Sequence, residues 1–144
     1  YFDTEVSGAI VGCRLSTTRG ELMRALLEGA ALEMRLNLDI LERSGCAIDE
    51  LRAIGGGSKF PVWAQLKADV LGKPITTIDE SAAGCLGAAM LVMAADTGCS
   101  VRDLAGELVT PGCTFTPDLE QSRSYDQQFA AYKRMYPVLK ELVT

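Results

Sequence analysis

Three consecutive glycines, Gly55, Gly56 and Gly57, stand between a short apolar run (Leu51, Ala53, Ile54) and a Ser58-to-Trp63 segment that reads as a helix start. A strand-to-helix turn without side chains belongs to α/β architecture and lets a ligand lie against the main chain. No Cβ holds the ligand off, and glycine adopts positive φ at little cost. The helix behind the turn offers unpaired N–H groups suited to an anion or a polar ring edge. Many α/β proteins hold a nucleotide in this way. A tight turn with Ser58 as helix N-cap and no ligand is the other reading of the same residues.

Two familiar phosphate loops fail on spacing. A Gly-x-x-x-x-Gly-Lys-Ser/Thr loop needs Ser or Thr after its lysine, whereas Lys59 is followed by Phe60. A Gly-x-Gly-x-x-Gly fingerprint would place its last glycine at position 60, which is again phenylalanine.

The 144 residues fall in the range of one domain, 1–144, with enough chain to bury a core. A net charge of −5 and the lack of any basic run argue against nucleic acid as a partner. The five cysteines form no Cys-x-x-Cys pair and read as small buried hydrophobes of a reducing compartment. Histidine is absent, which removes His-based triads, His general bases and the commonest transition-metal ligand. No metal ligand set is expected. No signal peptide opens the chain, which begins at Tyr1 and is expected to be a fragment or a processed product.

Along the chain, the apolar stretch at 8–13 predicts a strand or a buried extended turn. Thr17 or Thr18 caps a long helix over about 19–43. Its apolar positions predict a mostly buried helix with one solvated stripe carrying Arg24–Glu28 and Arg35–Asp39 pairs. A strand at about 51–55, the glycine turn and a helix near 59–71 follow, with Gly72 and Pro74 as stop signals. Residues 75–78 predict a strand, and 79–81 cap a helix. From Ser81 to Ala95 fifteen residues carry no charge. About 20 apolar residues are needed to span a membrane, so this run predicts a central helix packed through Gly84, Gly87 and Ala88. A short helix at 101–109, a Thr-Pro-Gly turn, an extended 115–117 and a final helix to about 142 complete the pass. On that last helix Tyr125, Phe129, Tyr132, Tyr136, Leu139 and Val143 form a docking stripe, and Pro137 predicts a kink. The pattern is β-α-β-α-β-α-α-α, a parallel or mixed sheet with helices on both faces. Three strands are few for so many helices, which suggests that part of the domain is missing.

Four blocks, taken together, resemble a family. GAIVGC at 8–13 followed after seven residues by ELMRALLEG at 21–29 resembles the C-terminal signature of the FGGY carbohydrate kinases. GGGSKFPVWAQLKADVLGKP at 55–74 resembles the family's adenosine-binding segment, and ESAAGCLGAA at 80–89 its next block. The closing Tyr-x₃-Phe-x₂-Tyr-x₃-Tyr-Pro at 125–137 looks like the last helix of xylulokinase-like members.

The resemblance implies an α/β fold: part of a ribonuclease H-like lobe of the actin and hexokinase ATPase superfamily, with a short sheet flanked by helices. It also implies transfer of the γ-phosphoryl group of ATP, with Mg²⁺, to a sugar hydroxyl, a ketopentose such as xylulose being the expected acceptor. Gly55, Gly56, Gly57, Ser58 and Phe60 would meet the adenosine. The catalytic base and most sugar contacts would lie in an N-terminal lobe outside this chain, so no catalytic residue is expected here. The expected partners are the sugar, ATP and that lobe, with no nucleic acid and no membrane; a homodimer is compatible, and the expected location is cytoplasmic.

Two positions depart from the family pattern. The Pro and Arg of a family loop Tyr-x-Asp-Pro-x-Ala-Arg-Gly fall at Thr4 and Ser7, and Phe60 stands where Ser or Asn is common. Phe60 would then pack on the purine instead of hydrogen-bonding its edge. Among the carboxylates, Asp69, Asp79 and Glu80 are expected to be solvated or to cap helices. The alternative function is a non-catalytic nucleotide- or protein-binding module of the same fold. A sugar-binding regulator of the same superfamily is disfavoured by the block order.

Overall fold

A capping box starts helix α1 (Arg19–Arg43) at Thr18. The Glu21 N–H donates to Thr18 Oγ1 at 3.2 Å, and the Thr18 N–H donates to Glu21 Oε2 at 2.6 Å. Both bonds satisfy donors that a helix start leaves orphaned. The Thr18 backbone bond also holds the Glu21 carboxyl below the usual range. Thr17 does other work, accepting the Arg14 N–H at 2.8 Å.

The computed structural model describes residues 8–78 and 83–143. After α1 come β1 (Leu51–Ala53), a 3₁₀ turn (Gly56–Lys59), α2 (Pro61–Leu71), β2 (Ile75–Ile78), α3 (Ala83–Thr97), α4 (Val101–Leu108), β3 (Pro111–Phe115) and α5 (Leu119–Val143). The strands form one mixed sheet in the order β1-β2-β3. β1 runs parallel to β2, with Leu51 opposite Ile75. β3 is antiparallel to β2, with Ile75 opposite Phe115 and a register shift between Thr76 and Ile78. None of the helices among the described residues is long and apolar enough to cross a membrane.

Helix α2 is the centre of the packing. On one side Val70 joins Ala31, Leu32 and Leu36 of α1 and Tyr125 and Phe129 of α5. On the other, Ala68 and Leu71 join Leu38 and Ile75 against the sheet. Its alanines allow this two-sided approach: Ala64 and Ala68 are fully buried. Gly72 ends the helix in the left-handed region (φ 64°), its N–H donating to the Ala68 carbonyl at 2.9 Å.

Several expectations are corrected here. Residues 8–13 are neither strand nor buried; they are irregular and exposed, and the sheet's pairings are made by other strands. The third strand is β3, which starts at the Pro111-Gly112 pair read as a turn. Proline is tolerated at a first strand position because its missing donor breaks no ladder bond there. Helix α1 buries only Ala31, Leu32, Leu36 and Leu38, leaving Met23, Leu26 and Leu27 among its exposed apolar residues. Helix α3 is not central: Met90 is its buried residue, its main neighbour is α4, and nothing lies within 4 Å of a Cβ built on Gly84 or Gly87. All five cysteines are exposed rather than buried. Arg24 and Glu28 pair as expected, but Arg35 pairs with Asp126 of α5 rather than Asp39, which takes Arg43. Pro137, where the sequence predicts a kink, lies inside α5. The caps expected at 79–81, including Asp79 and Glu80, and the departures at Thr4 and Ser7 lie outside the described residues.

Gly112 is the glycine the sheet most needs. A Cβ there would stand 2.6 Å from Thr77 Oγ1 and 3.2 Å from the Thr77 carbonyl oxygen. The hydroxyl cannot simply swing away, because it accepts the Cys113 N–H at 3.0 Å. Gly112→Ala is therefore expected to lower stability by about 1–3 kcal/mol through overpacking. Gly106→Ala, on α4 where the Cβ meets open space, should instead add a few tenths to about 1 kcal/mol through helix propensity. Urea midpoints of the two variants check the contrast; equal effects would contradict it.

Candidate functional site

The glycine turn is built from one residue only glycine can supply and one buried hydroxyl. Gly55 has φ 82° and ψ −173°, a conformation that side chains exclude. Ser58, 9% exposed, donates its hydroxyl to the Gly55 carbonyl at 2.6 Å, and its N–H bonds the same oxygen at 3.1 Å. The Ser58 side chain thus closes the 3₁₀ turn from within. It is not the N-cap of α2: that position is Phe60, which makes no side-chain capping bond, and Pro61 opens the helix. Proline suits the first helical position because its missing donor would be unpaired there anyway.

What the turn presents outward is main chain. Gly55, Gly56 and Gly57 are all exposed, and nothing lies within 4 Å of a Cβ built on Gly55 or Gly56. Phe60 is 66% exposed beside them. Of the five sequence-predicted residues, Gly55, Gly56, Gly57 and Phe60 are exposed, whereas Ser58 is buried and turned inward to close the turn, so its side chain is not on the surface offered to a ligand. A groove of about 640 Å³ lies between α1 and the start of α2, lined by Met23, Leu27, Pro61, Val62 and Gln65 among others. None of the five turn residues lines it.

Asp69 is neither solvated nor positioned for chemistry. It is 8% exposed, and its Oδ1 accepts from Gln65 Nε2 at 2.8 Å and from the Asp118 N–H at 2.9 Å. Arg24 and Glu28 meet the buried Tyr125, which donates its hydroxyl to Glu28 Oε1 at 2.8 Å. Burial is the main reason the Tyr125 hydroxyl is held above its usual pKa. These groups bind helices to one another. Among the described residues, no three His, Cys, Asp or Glu side chains gather as a metal ion would require.

Two residues under the turn were not singled out as functional from sequence. The Nε1–Cδ1 edge of Trp63 lies 3.5–3.6 Å from a Cβ built on Gly57. Lys67 is 7% exposed and holds its Nζ 5.0 Å from the Trp63 ring centroid. The available signal was a lysine four residues after the tryptophan, on a helix otherwise able to bury that face.

The profile of the FGGY family of carbohydrate kinases, C-terminal domain, matches residues 1–95. The chain belongs to this family. It is 26% identical over 146 residues to the xylulose kinase of Bacillus subtilis (strain 168), covering all of this chain and 29% of that protein. It is 35% identical over 138 residues to the ribulokinase of Mycolicibacterium smegmatis, covering 93% of this chain and 24% of that one. The crystal structure of xylulose kinase from Rhodospirillum rubrum superimposes with a TM-score of 0.85 at 32% identity, over 95% of this chain and 28% of the kinase. The FGGY chain thus spans less than a third of these relatives. Its α/β fold, a three-stranded sheet flanked by helices, is a part of their actin- and hexokinase-type ATPase architecture.

Proposed function

We propose that this chain, as one domain over 1–144, is the adenosine-holding part of an ATP-dependent sugar kinase. The acceptor is a hydroxyl of a ketopentose such as xylulose, the substrate class named by the xylulose kinase and ribulokinase relatives. The observation that carries the reading is the bare main chain at Gly55–Gly57, with open space where two of the three side chains would stand. A purine and ribose fit against such a surface at van der Waals distance, and Phe60 offers a face for the purine. Phosphoryl transfer depends on placement and charge neutralisation more than on covalent chemistry from the protein. The turn's part is placement: it fixes the adenosine, and so the distance the triphosphate must reach. The catalytic base and sugar contacts belong to an N-terminal lobe of the same cytoplasmic enzyme. Mg²⁺ would accompany the phosphates and neutralise their charge.

Gly56 offers the clean test. Gly55 needs its positive φ, and a side chain at Gly57 would touch Trp63, but a side chain at Gly56 meets only open space. In the full-length enzyme Gly56→Val should leave the fold intact and raise the KM for ATP by about tenfold or more, with the sugar KM unchanged. Coupled ADP-release kinetics measure both. An unchanged KM for ATP would remove the turn from the nucleotide site. No turnover of xylulose, ribulose, fuculose, glycerol or erythritol would favour a non-catalytic binding module.

A further inference from the structure

On α2, four residues beyond Trp63, lies a buried cation with no ion-pair partner among the described residues. Lys67 is 7% exposed, and among the described residues it enters none of the ion pairs, which join Arg24, Arg35, Arg43, Arg52 and Lys73 to acids. Burial pushes its ammonium below the usual lysine range. For stability alone, a leucine or methionine would serve α2 better at this position, since a desolvated charge opposes folding. The ammonium instead faces the Trp63 ring at 5.0 Å. Cation–π attraction strengthens when both groups are desolvated and acts through the ring face, so it resists rotation of the indole. The indole also packs against the cluster where α1, α2 and α5 meet, and its Nε1–Cδ1 edge abuts the turn, 3.5–3.6 Å from a Cβ built on Gly57, which is ordinary van der Waals distance.

We infer that Lys67 is a positioning residue for the nucleotide: stacked on Trp63, it fixes the indole that supports Gly57 and thereby sets the height of the backbone on which the adenosine lies. This inference rests on the reading of the glycine turn as the adenosine site. Lys67 touches no ligand. It acts through Trp63, and Trp63 acts through the main chain at Gly57. An arginine can replace it, because a guanidinium stacks on an indole face as well as an ammonium does. A methionine fills the space without holding the ring's tilt.

The test uses the full-length enzyme with Lys67→Met, Lys67→Arg and Gly56→Val, and 5-fluorotryptophan for ¹⁹F NMR. The Trp63 resonance is assigned as the one lost in Trp63→Phe. Lys67→Met is expected to raise the KM for ATP about tenfold, with kcat and sugar KM within about twofold and no loss of thermal stability. Lys67→Arg should return the KM to within about twofold of the parent. The Trp63 resonance should shift on ATP titration in the parent and broaden in Lys67→Met. A parental KM in Lys67→Met, or a Lys67→Arg variant as impaired as Lys67→Met, overturns the inference. If Gly56→Val raises the KM for ATP while Lys67→Met does not, only the stack's role fails. If Gly56→Val leaves the KM unchanged, the adenosine reading fails and the inference falls with it.

Discussion

Phe129→Ala should destabilise the protein by about 3–5 kcal/mol, the range for removing a buried aromatic ring. Phe129 is 7% exposed and sits in the cluster where α1, α2 and α5 meet, with Leu32, Leu36 and Val70. Val70 is fully buried, so little neighbouring structure can relax into the space the ring would leave. The ring also carries two cations, Arg35 at 4.7 Å and Lys133 at 4.6 Å from its centroid. Each contributes about 0.5–1 kcal/mol at an exposed site, and Arg35 is in addition the α1 partner of Asp126. Removing the ring therefore loosens the α1–α5 seam in two ways. Phe129→Leu, which keeps most of the volume, should cost well under half as much. Urea unfolding followed by circular dichroism decides: a loss below about 1 kcal/mol for the alanine variant would place the ring outside the core.

Local chemistry was legible in the sequence wherever a residue's own geometry settles the matter. Thr18 and Glu21 cap α1, Gly72 stops α2, and Ile75–Ile78 form a strand, because each depends on neighbours within about four residues. The first half of the docking stripe of α5 was legible as well: Tyr125 and Phe129 are buried on the α1–α2 face and Tyr132 packs against them, whereas Tyr136 and Leu139 are only half-buried. What failed depended on what lies alongside. Residues 8–13 and 111–115 are both short, contain glycine and include β-branched residues, and only the second finds a partner strand, across from β2. The uncharged run at 83–95 carries the composition of a central helix, yet the central helix is α2, which bears both Lys67 and Asp69 in its buried set. Charge content misleads there because both polar groups have specific uses, one on an indole and one on a backbone N–H. At the candidate site the turn was readable from its glycines. The Trp63–Lys67 support was not, since a tryptophan and a lysine four residues apart describe a surface pair as readily as a buried stack.

Asp69→Ala should cost about 2–4 kcal/mol, because it strips the joint between the end of α2 and the start of α5. The carboxylate holds the Asp118 N–H at 2.9 Å, and Asp118 in turn accepts the N–H groups of Glu120 at 2.8 Å and Gln121 at 3.0 Å. One buried acid thus fixes the residue that caps the next helix, while the Asp69 carbonyl takes the Ser122 hydroxyl at 2.9 Å. Gln65 completes the joint, donating to both Asp69 and the Thr116 carbonyl at 2.8 Å. Alanine would leave the Asp118 N–H without its carboxylate partner at a half-buried joint, so the charge-assisted bond and the geometry it sets are lost together. Asp69→Asn keeps an acceptor of the same shape without the charge and should lose roughly half as much, since charge-assisted bonds are about twice as strong as neutral ones. The damage should also be local. Hydrogen exchange in Asp69→Ala is expected to show lost protection over the first turn of α5, with the capped start of α1 unchanged. Equal loss at both helix starts would mean that Asp69 supports the whole core and not the joint. Because α5 carries Tyr125 and Phe129 into the face of α2 that also bears Lys67 and Trp63, a loosened α5 entry should reach the glycine turn as a modest rise in the KM for ATP, smaller than that of Gly56→Val.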